Sequence, residues 1–266
     1  MGCAVSLVVG NRQGAGCSLW HDRAMSMDPL VVRARALWEG LARVPVSFAP
    51  SGGVDVVVSP RSGLCPDGWV GAVALGGSAI VTAPSDGVAV LVRDVLRRLP
   101  VEAVTDAALV RRVLPVARVL GPAALSYVSP AGFRPVEVGA LGVERLPAAH
   151  PDLRSLERLA GREDAGEAAL DEITSPAFVV RERVRGRVVA AAGYCAWPRR
   201  TAQIGVLTAP EVRGRGLARV VGSAVVAHAL EVGMLPQWRA RSRASRVVAG
   251  ALGFQELGVQ LSVEIA

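Results

Sequence analysis

The chain has 266 residues, of which 51% are hydrophobic, 20% charged and 4% aromatic, and its net charge is +7. That length buries a sizeable core in one large or two small domains, and that apolar content excludes a disordered chain. The basic surplus is scattered and has too few aromatic neighbours for a stacking platform, and the longest apolar runs, such as 188–192, are too short for a bilayer; nucleic-acid and membrane partners are therefore both set aside.

Residues 1–24 read as a tail or a first strand. Their opening Met1-Gly2-Cys3-Ala4-Val5-Ser6 formally fits a lipidation pattern, but no basic segment precedes the apolar run at 3–10, so no signal peptide is expected. Pro29–Leu41 has helical spacing, with Leu30, Val31, Ala34, Leu37 and Leu41 on one side. Strands are expected at 53–58, 69–75 and 78–82, and helices at 88–99, before Pro100, and at 106–120, before Gly121-Pro122. This first part, 25–134, reads as an α/β accessory domain. The Gly-, Pro- and Ser-rich stretch 120–136 is the best seam in the chain.

From 135 to 266 the alternation is clearer. A strand over 136–146 leads to helices at 150–160 and 166–173, then a hairpin of 177–184 and 188–197 turning at Arg185-Gly186. A strand at 203–208 is followed by a glycine-rich turn and a long apolar helix reaching about Val232. A strand at 236–241 and a helix at 243–252 precede the last strand. There Leu257, Val259, Leu261, Val263 and Ile265 alternate with Gly258, Gln260, Ser262 and Glu264, which predicts a half-buried strand.

All 30 basic residues are arginine and the only asparagine is Asn11, a composition that points to a GC-rich bacterial genome. The cysteines Cys3, Cys17, Cys65 and Cys195 lack paired metal spacing, and only His21, His150 and His228 accompany them, so no metal is expected. Free thiols fit a reducing cytoplasm. Residues 201–266 carry seven arginines against four glutamates, a balance that suits a polyanionic small ligand.

The chemistry concentrates in Arg213-Gly214-Arg215-Gly216-Leu217-Ala218, between the strand and the long helix. Glycines let the backbone approach a ligand, and the free N–H groups of a first helical turn form an anion site. Arginines add forked donors suited to phosphate. A dinucleotide fold would need these glycines in an early βαβ unit, and a Walker loop would need Gly-Lys-Ser/Thr. Neither condition is met.

The wider order is strand, Thr208 to Ala218, long helix, strand, short helix, Leu252-Gly253-Phe254 and final strand. This resembles the GNAT acyltransferase superfamily, whose Arg/Gln-x-x-Gly-x-Gly/Ala pattern is matched by Arg213, Gly216 and Ala218. Leu235-Pro236-Gln237-Trp238 and Ser242-Arg243-Ala244-Ser245 add to the likeness, which covers roughly 135–266 and is specific across 201–254. The implied architecture is α/β (α+β): a mixed, mostly antiparallel sheet flanked by helices, with the amino-terminal part as an accessory domain or a degenerate second half of the fold.

The resemblance implies acetyl-CoA as co-substrate. Val206, Leu207 and Thr208 would bond its pantetheine arm through the backbone, and Arg213, Gly214, Arg215, Gly216, Leu217 and Ala218 would cradle its pyrophosphate. Ser242 stands where the family usually has asparagine, either near the thioester or as a plain helix cap, and Ser245 sits one turn on. Glu172 is the candidate base and Tyr194 the candidate acid, because the family's usual tyrosine position is Ala249 here. Cys195 and His228 read as core residues, and Trp238 as packing beside the cleft. The expected reaction is acetyl transfer to a primary amine of a small molecule or peptide by a monomer or homodimer. The alternative is a catalytically weak acyl-CoA-binding sensor. Having no lysine, the chain cannot acetylate itself on a lysine side chain.

Overall fold

The computed structural model describes residues 28–50, 52–136 and 142–266. The tail at 1–24, with Cys3, Cys17 and His21, and most of the early part of the strand expected at 136–146 lie outside them. Ten strands form one mixed sheet, β1 Gly53–Val58, β2 Val70–Leu75, β3 Ser78–Ala83, β4 Val116–Tyr127, β5 Glu144–Leu146, β6 Ala177–Arg181, β7 Val188–Trp197, β8 Thr201–Thr208, β9 Leu235–Ala240 and β10 Gln255–Ile265. Their order is β1-β3-β2-β10-β4-β9-β8-β7-β6-β5. Only β1–β3 and β8–β9 pair in parallel.

Among the described residues seven α-helices flank the sheet: α1 Pro29–Leu41, α2 Asp86–Leu96, α3 Ala107–Val113, α4 Pro151–Ala160, α5 Arg162–Ala168, α6 Leu217–Glu231 and α7 Arg243–Ala251. Their starts follow local chemistry. Asp28 accepts from the N–H of Leu30, with Pro29 in the first turn of α1, and Ser85 and Asp106 cap α2 and α3. The imidazole Nδ1 of His150 accepts from the N–H of Asp152 and starts α4.

Two expected helices fail for identifiable reasons. The helix expected over 106–120 stops at Val113, since Pro115 disfavours a helical Leu114. Val116–Tyr127, which takes in the first half of the expected seam, is the long strand β4. It lies between β9 and β10, two strands of the carboxy-terminal part. Gly121, at φ +106°, and Pro122 fall where the β4–β10 register shifts, the bulge that tolerates a proline inside a sheet. The helix expected at 166–173 is likewise replaced by α5 over 162–168, a left-handed Ala169 and a short 3-10 turn at Leu170–Glu172.

The last strand also differs from the expected half-buried ribbon. Gln260 and Ser262, on its polar side, are as buried as Leu261 and Val263, because β10 is flanked by β2 and β4 and covered on both faces.

Three apolar clusters hold the molecule together. One joins α4 and α6 to β6–β9, with Leu156, Val221, Val225 and Ala192 fully buried. A second packs α2 and α3 on β1–β3 and β10. The third places α1 against Val73, Ile80, Leu125 and Tyr127, where the indole N–H of Trp38 donates to the Tyr127 hydroxyl at 2.7 Å.

Candidate functional site

Strands β8 and β9 run side by side only at Thr201–Gln203 and Leu235–Gln237. Beyond that rung β8 stays paired with β7 through Thr208, while β9 pairs with β4 through Ala240. The sheet therefore forks. The edge of β8 over Ile204–Thr208 that looks toward β9 has no ladder partner, which leaves backbone donors and acceptors for an added strand-like group. Val206, Leu207 and Thr208, the expected pantetheine edge, all lie on this open arm.

One face of the fork is closed by α6, the other by α5 and the 3-10 turn. Gly205 faces α5 so closely that a Cβ there would run into the carbonyl oxygen of Ala168, and one on Gly193 would strike Ile173. Glycine at these two positions lets the α5 side settle onto the strands. On the opposite face the residues alternating with them, Tyr194 and Ile204, pack under α6.

At the end of β8 the chain makes a 3-10 turn at Pro210–Val212 and then the glycine turn. Gly214 and Gly216 have φ of +76° and +78°, and nothing lies near the position of a Cβ on either. They are glycines for backbone conformation, and the turn faces open space. Gly216 caps α6 without a side-chain bond, so the N–H groups of Leu217 and Ala218 point out of the helix with its dipole behind them. The buried hydroxyl oxygen of Thr208 has no partner among the described residues either.

The two turn arginines differ. Arg213 is tied down: its guanidinium bonds Asp164 on α5 at 2.6 Å and the carbonyl of Thr208 at 3.3 Å. It fastens the turn to α5. Arg215 is exposed and makes no ion pair among the described residues.

Ser242 caps α7, accepting from the N–H of Ser245 at 3.2 Å. The Ser245 hydroxyl accepts from the indole N–H of Trp238 at 2.8 Å, and Trp238 is buried edge-on against Phe254. Both serines border the β9 arm of the fork, but their hydroxyls serve the local structure.

The fork does not bring Glu172 and Tyr194 together. Tyr194 is buried beneath α6, its hydroxyl 3.3 Å from Nδ1 of His228, and burial raises its pKa. Glu172 is exposed on the other face, close enough to act electrostatically on Cys195 and Arg239. Burial first, and the Glu172 carboxylate second, raise the pKa of the Cys195 thiol. That environment opposes a thiolate nucleophile.

Three polar residues at the fork escape sequence reasoning. The Gln237 amide donates to Oε1 of Gln203 across the last rung at 2.6 Å, while its own Oε1 is buried without a partner among the described residues. Arg239, next on that face of β9, donates to Oε1 of Gln260 at 3.3 Å and lies over the Trp197 ring at 5.8 Å. Burial, then the charge of Arg241, lowers its pKa, against the opposing effect of Glu167 and Glu172. The readable signal was the two glutamines inside apolar strands; one arginine among 30 carried none.

Among the described residues no group of His, Cys, Asp and Glu could hold a metal ion, and no helix is long and apolar enough to cross a membrane.

Residues 178–258 match the family model described as GNAT acetyltransferase. No curated protein matches the chain. Among solved structures it is similar to a putative GNAT-family acetyltransferase from Novosphingobium aromaticivorans, at 22% identity and TM-score 0.44 over 57% of this chain and 67% of that one. A GCN5-related N-acetyltransferase from Kribbella flavida gives 19% and 0.45 over 59% and 62%. A GNAT superfamily phosphinothricin acetyltransferase from Sinorhizobium meliloti, solved with AcCoA, gives 20% and 0.35 over 46% and 86%. The chain thus spans about two thirds or less of the first two structures' own lengths. The family match falls on the fork itself, from β6 through the glycine turn to the start of β10, so that this stretch of the chain is similar to GNAT acetyltransferases.

Proposed function

We propose that the chain transfers an acetyl group from acetyl-CoA to a primary amine of a small molecule or a peptide. The observation that carries this reading is the opening of the β8–β9 ladder after Gln203 and Gln237, directly beside the uncapped start of α6. An unpaired strand edge suits the amide-bearing pantetheine arm, and the N–H groups of 214–218 suit the pyrophosphate. The lone Thr208 hydroxyl and the open space at Gly214 and Gly216 fit the same ligand. Arg215 adds charge there, whereas Arg213 holds the turn in place through Asp164.

In the reaction a neutral amine nitrogen attacks the thioester carbon, the new C–N bond forms, and the C–S bond breaks to release the coenzyme A thiolate. Glu172 takes the proton lost by the ammonium, directly or through water, because it is an exposed carboxylate outside any ion pair among the described residues and lies within electrostatic range of Cys195 and Arg239 at the fork. Backbone N–H groups near Val206 and Leu207 stabilise the oxygen charge. Tyr194, engaged with His228 on the far face, has no part in this scheme. The segment before residue 135 shapes the acceptor side, since Leu120, Gly121 and Ala123 of β4 line the cleft beside Arg239.

A catalytically weak sensor is the competing reading, and the engagement of Ser242 and Ser245 in local bonds favours it. Titration calorimetry with acetyl-CoA, followed by a thiol-release screen over amines, separates the two. Binding with turnover supports the transferase; binding without turnover on any acceptor supports the sensor; no binding defeats both.

A further inference from the structure

A cavity of about 170 Å³ opens on the α5 face of the fork, lined among others by Arg239, Arg241, Glu167, Gln260, Ser262 and Leu120. One water needs only about 10–15 Å³, so the space takes a small organic group. Its charges are not all spent. Glu167 and Arg241 neutralise each other at 2.8 Å. Arg239, by contrast, has no carboxylate within ion-pair distance among the described residues. Its one hydrogen bond goes to the neutral Gln260, and that amide is held from behind by donating to the Leu64 carbonyl at 2.6 Å.

The Arg239 guanidinium is open to solvent and free of any anion among the described residues, and its planar fork matches a carboxylate at two points. Of its five N–H donors one is engaged within the protein. The side chain is still reachable by solvent, and it stands two residues past the last rung of the fork, where a group entering beside the thioester would pass. Glu172, on the same face, supplies a carboxylate within electrostatic range. A guanidinium lining the cavity and a carboxylate within its electrostatic range complement a small zwitterion.

Resting on the acetyl-transfer reading above, we infer that the acceptor is an amine that also carries a carboxylate, such as a free amino acid, with Arg239 binding the carboxylate while Glu172 faces the amino group. Arg239 fixes the acceptor through the part that does not react, which orients the nitrogen toward the thioester.

The test uses the full chain and acetyl-CoA, with the common amino acids each compared with its amide and its decarboxylated amine in a thiol-release assay. The expected result is at least one free amino acid whose kcat/KM exceeds that of both counterparts by about 10- to 100-fold. Arg239→Gln removes that preference by raising KM and lowering kcat for the acid, with the calorimetric affinity for acetyl-CoA within about twofold of the parent; that affinity also reports folding. Arg239→Lys, which keeps the charge and loses the fork, falls between. Amides and amines turned over as well as acids would overturn the inference and leave acetyl transfer standing. So would an Arg239→Gln variant that loses acetyl-CoA affinity in place of acceptor affinity, which would put the guanidinium on the donor. Acetyl-CoA binding with no acid turned over overturns it too. No acetyl-CoA binding at all defeats the underlying reading.

Discussion

Gln237 and Gln203 meet at 2.6 Å across the last rung of the β8–β9 pair, a side-chain clasp at the point where the sheet divides. The clasp fixes where the fork begins. Both residues point to the α5 face, and Gln237 is fully buried.

Removing one partner strands the other. Gln203→Leu leaves the buried Gln237 amide without its acceptor, in a residue whose oxygen is already unpaired. Urea unfolding should show a loss of about 1–3 kcal/mol, and the double change Gln203→Leu with Gln237→Leu should recover part of it. An unchanged midpoint in the single variant would mean that the clasp contributes nothing.

Gly205 and Gly216 are both glycines, but for opposite reasons. Gly205→Ala collides with the Ala168 carbonyl and must push α5 off the strands, at a cost of about 1–3 kcal/mol or more in stability. Gly216→Val meets no atoms but cannot hold φ +78° comfortably, so it distorts the turn where the cofactor is expected. Thermal melts and acetyl-CoA titrations on the pair should separate the effects: the first variant loses mostly stability, the second mostly affinity.

The two candidate proton carriers are distinguished by the same logic. Glu172→Gln should lower kcat in a thiol-release assay by about 100-fold or more, the usual scale for removing a general base. Tyr194→Phe breaks only the contact with His228 and should leave kcat within about threefold. A large kcat loss in the tyrosine variant would move catalysis to the α6 face.

Thiol reactivity gives a check on burial that is independent of activity. Burial raises the pKa of Cys65 from 9.0 to about 11. At pH 8 both values lie above the solution pH, so the folded thiol is less ionised and should alkylate about 100-fold more slowly than in the unfolded chain. The folded-state rate should keep rising with pH past 9, where that of an ordinary thiol levels off. Equal rates in the two states would show that the thiol is open to solvent.

Much of the carboxy-terminal part is legible in the residues because local signals agree there. The glycine turn, the apolar α6 and the Ser242 cap are each encoded within a few positions. Where tertiary pairing decides, the sequence is ambiguous. Val116 to Leu120 has apolar spacing that a helix would also accept, and only its neighbour β10 makes it a strand. Gln260 and Ser262 look like a solvent face because nothing local says that β2, β4 and the loop at Leu64 cover them. Arg239 stays hidden for the same reason: its meaning comes from Gln260, Trp197 and Glu172, each far away in the chain.

The fork and glycine turn as an acetyl-CoA site are tested most directly by calorimetric titration of acetyl-CoA into the parent chain and into Gly216→Val. A single site on the parent, weakened at least about tenfold in a variant that melts near the parent temperature, is the predicted result. Equal affinity in the two proteins, or no binding to the parent, would contradict it.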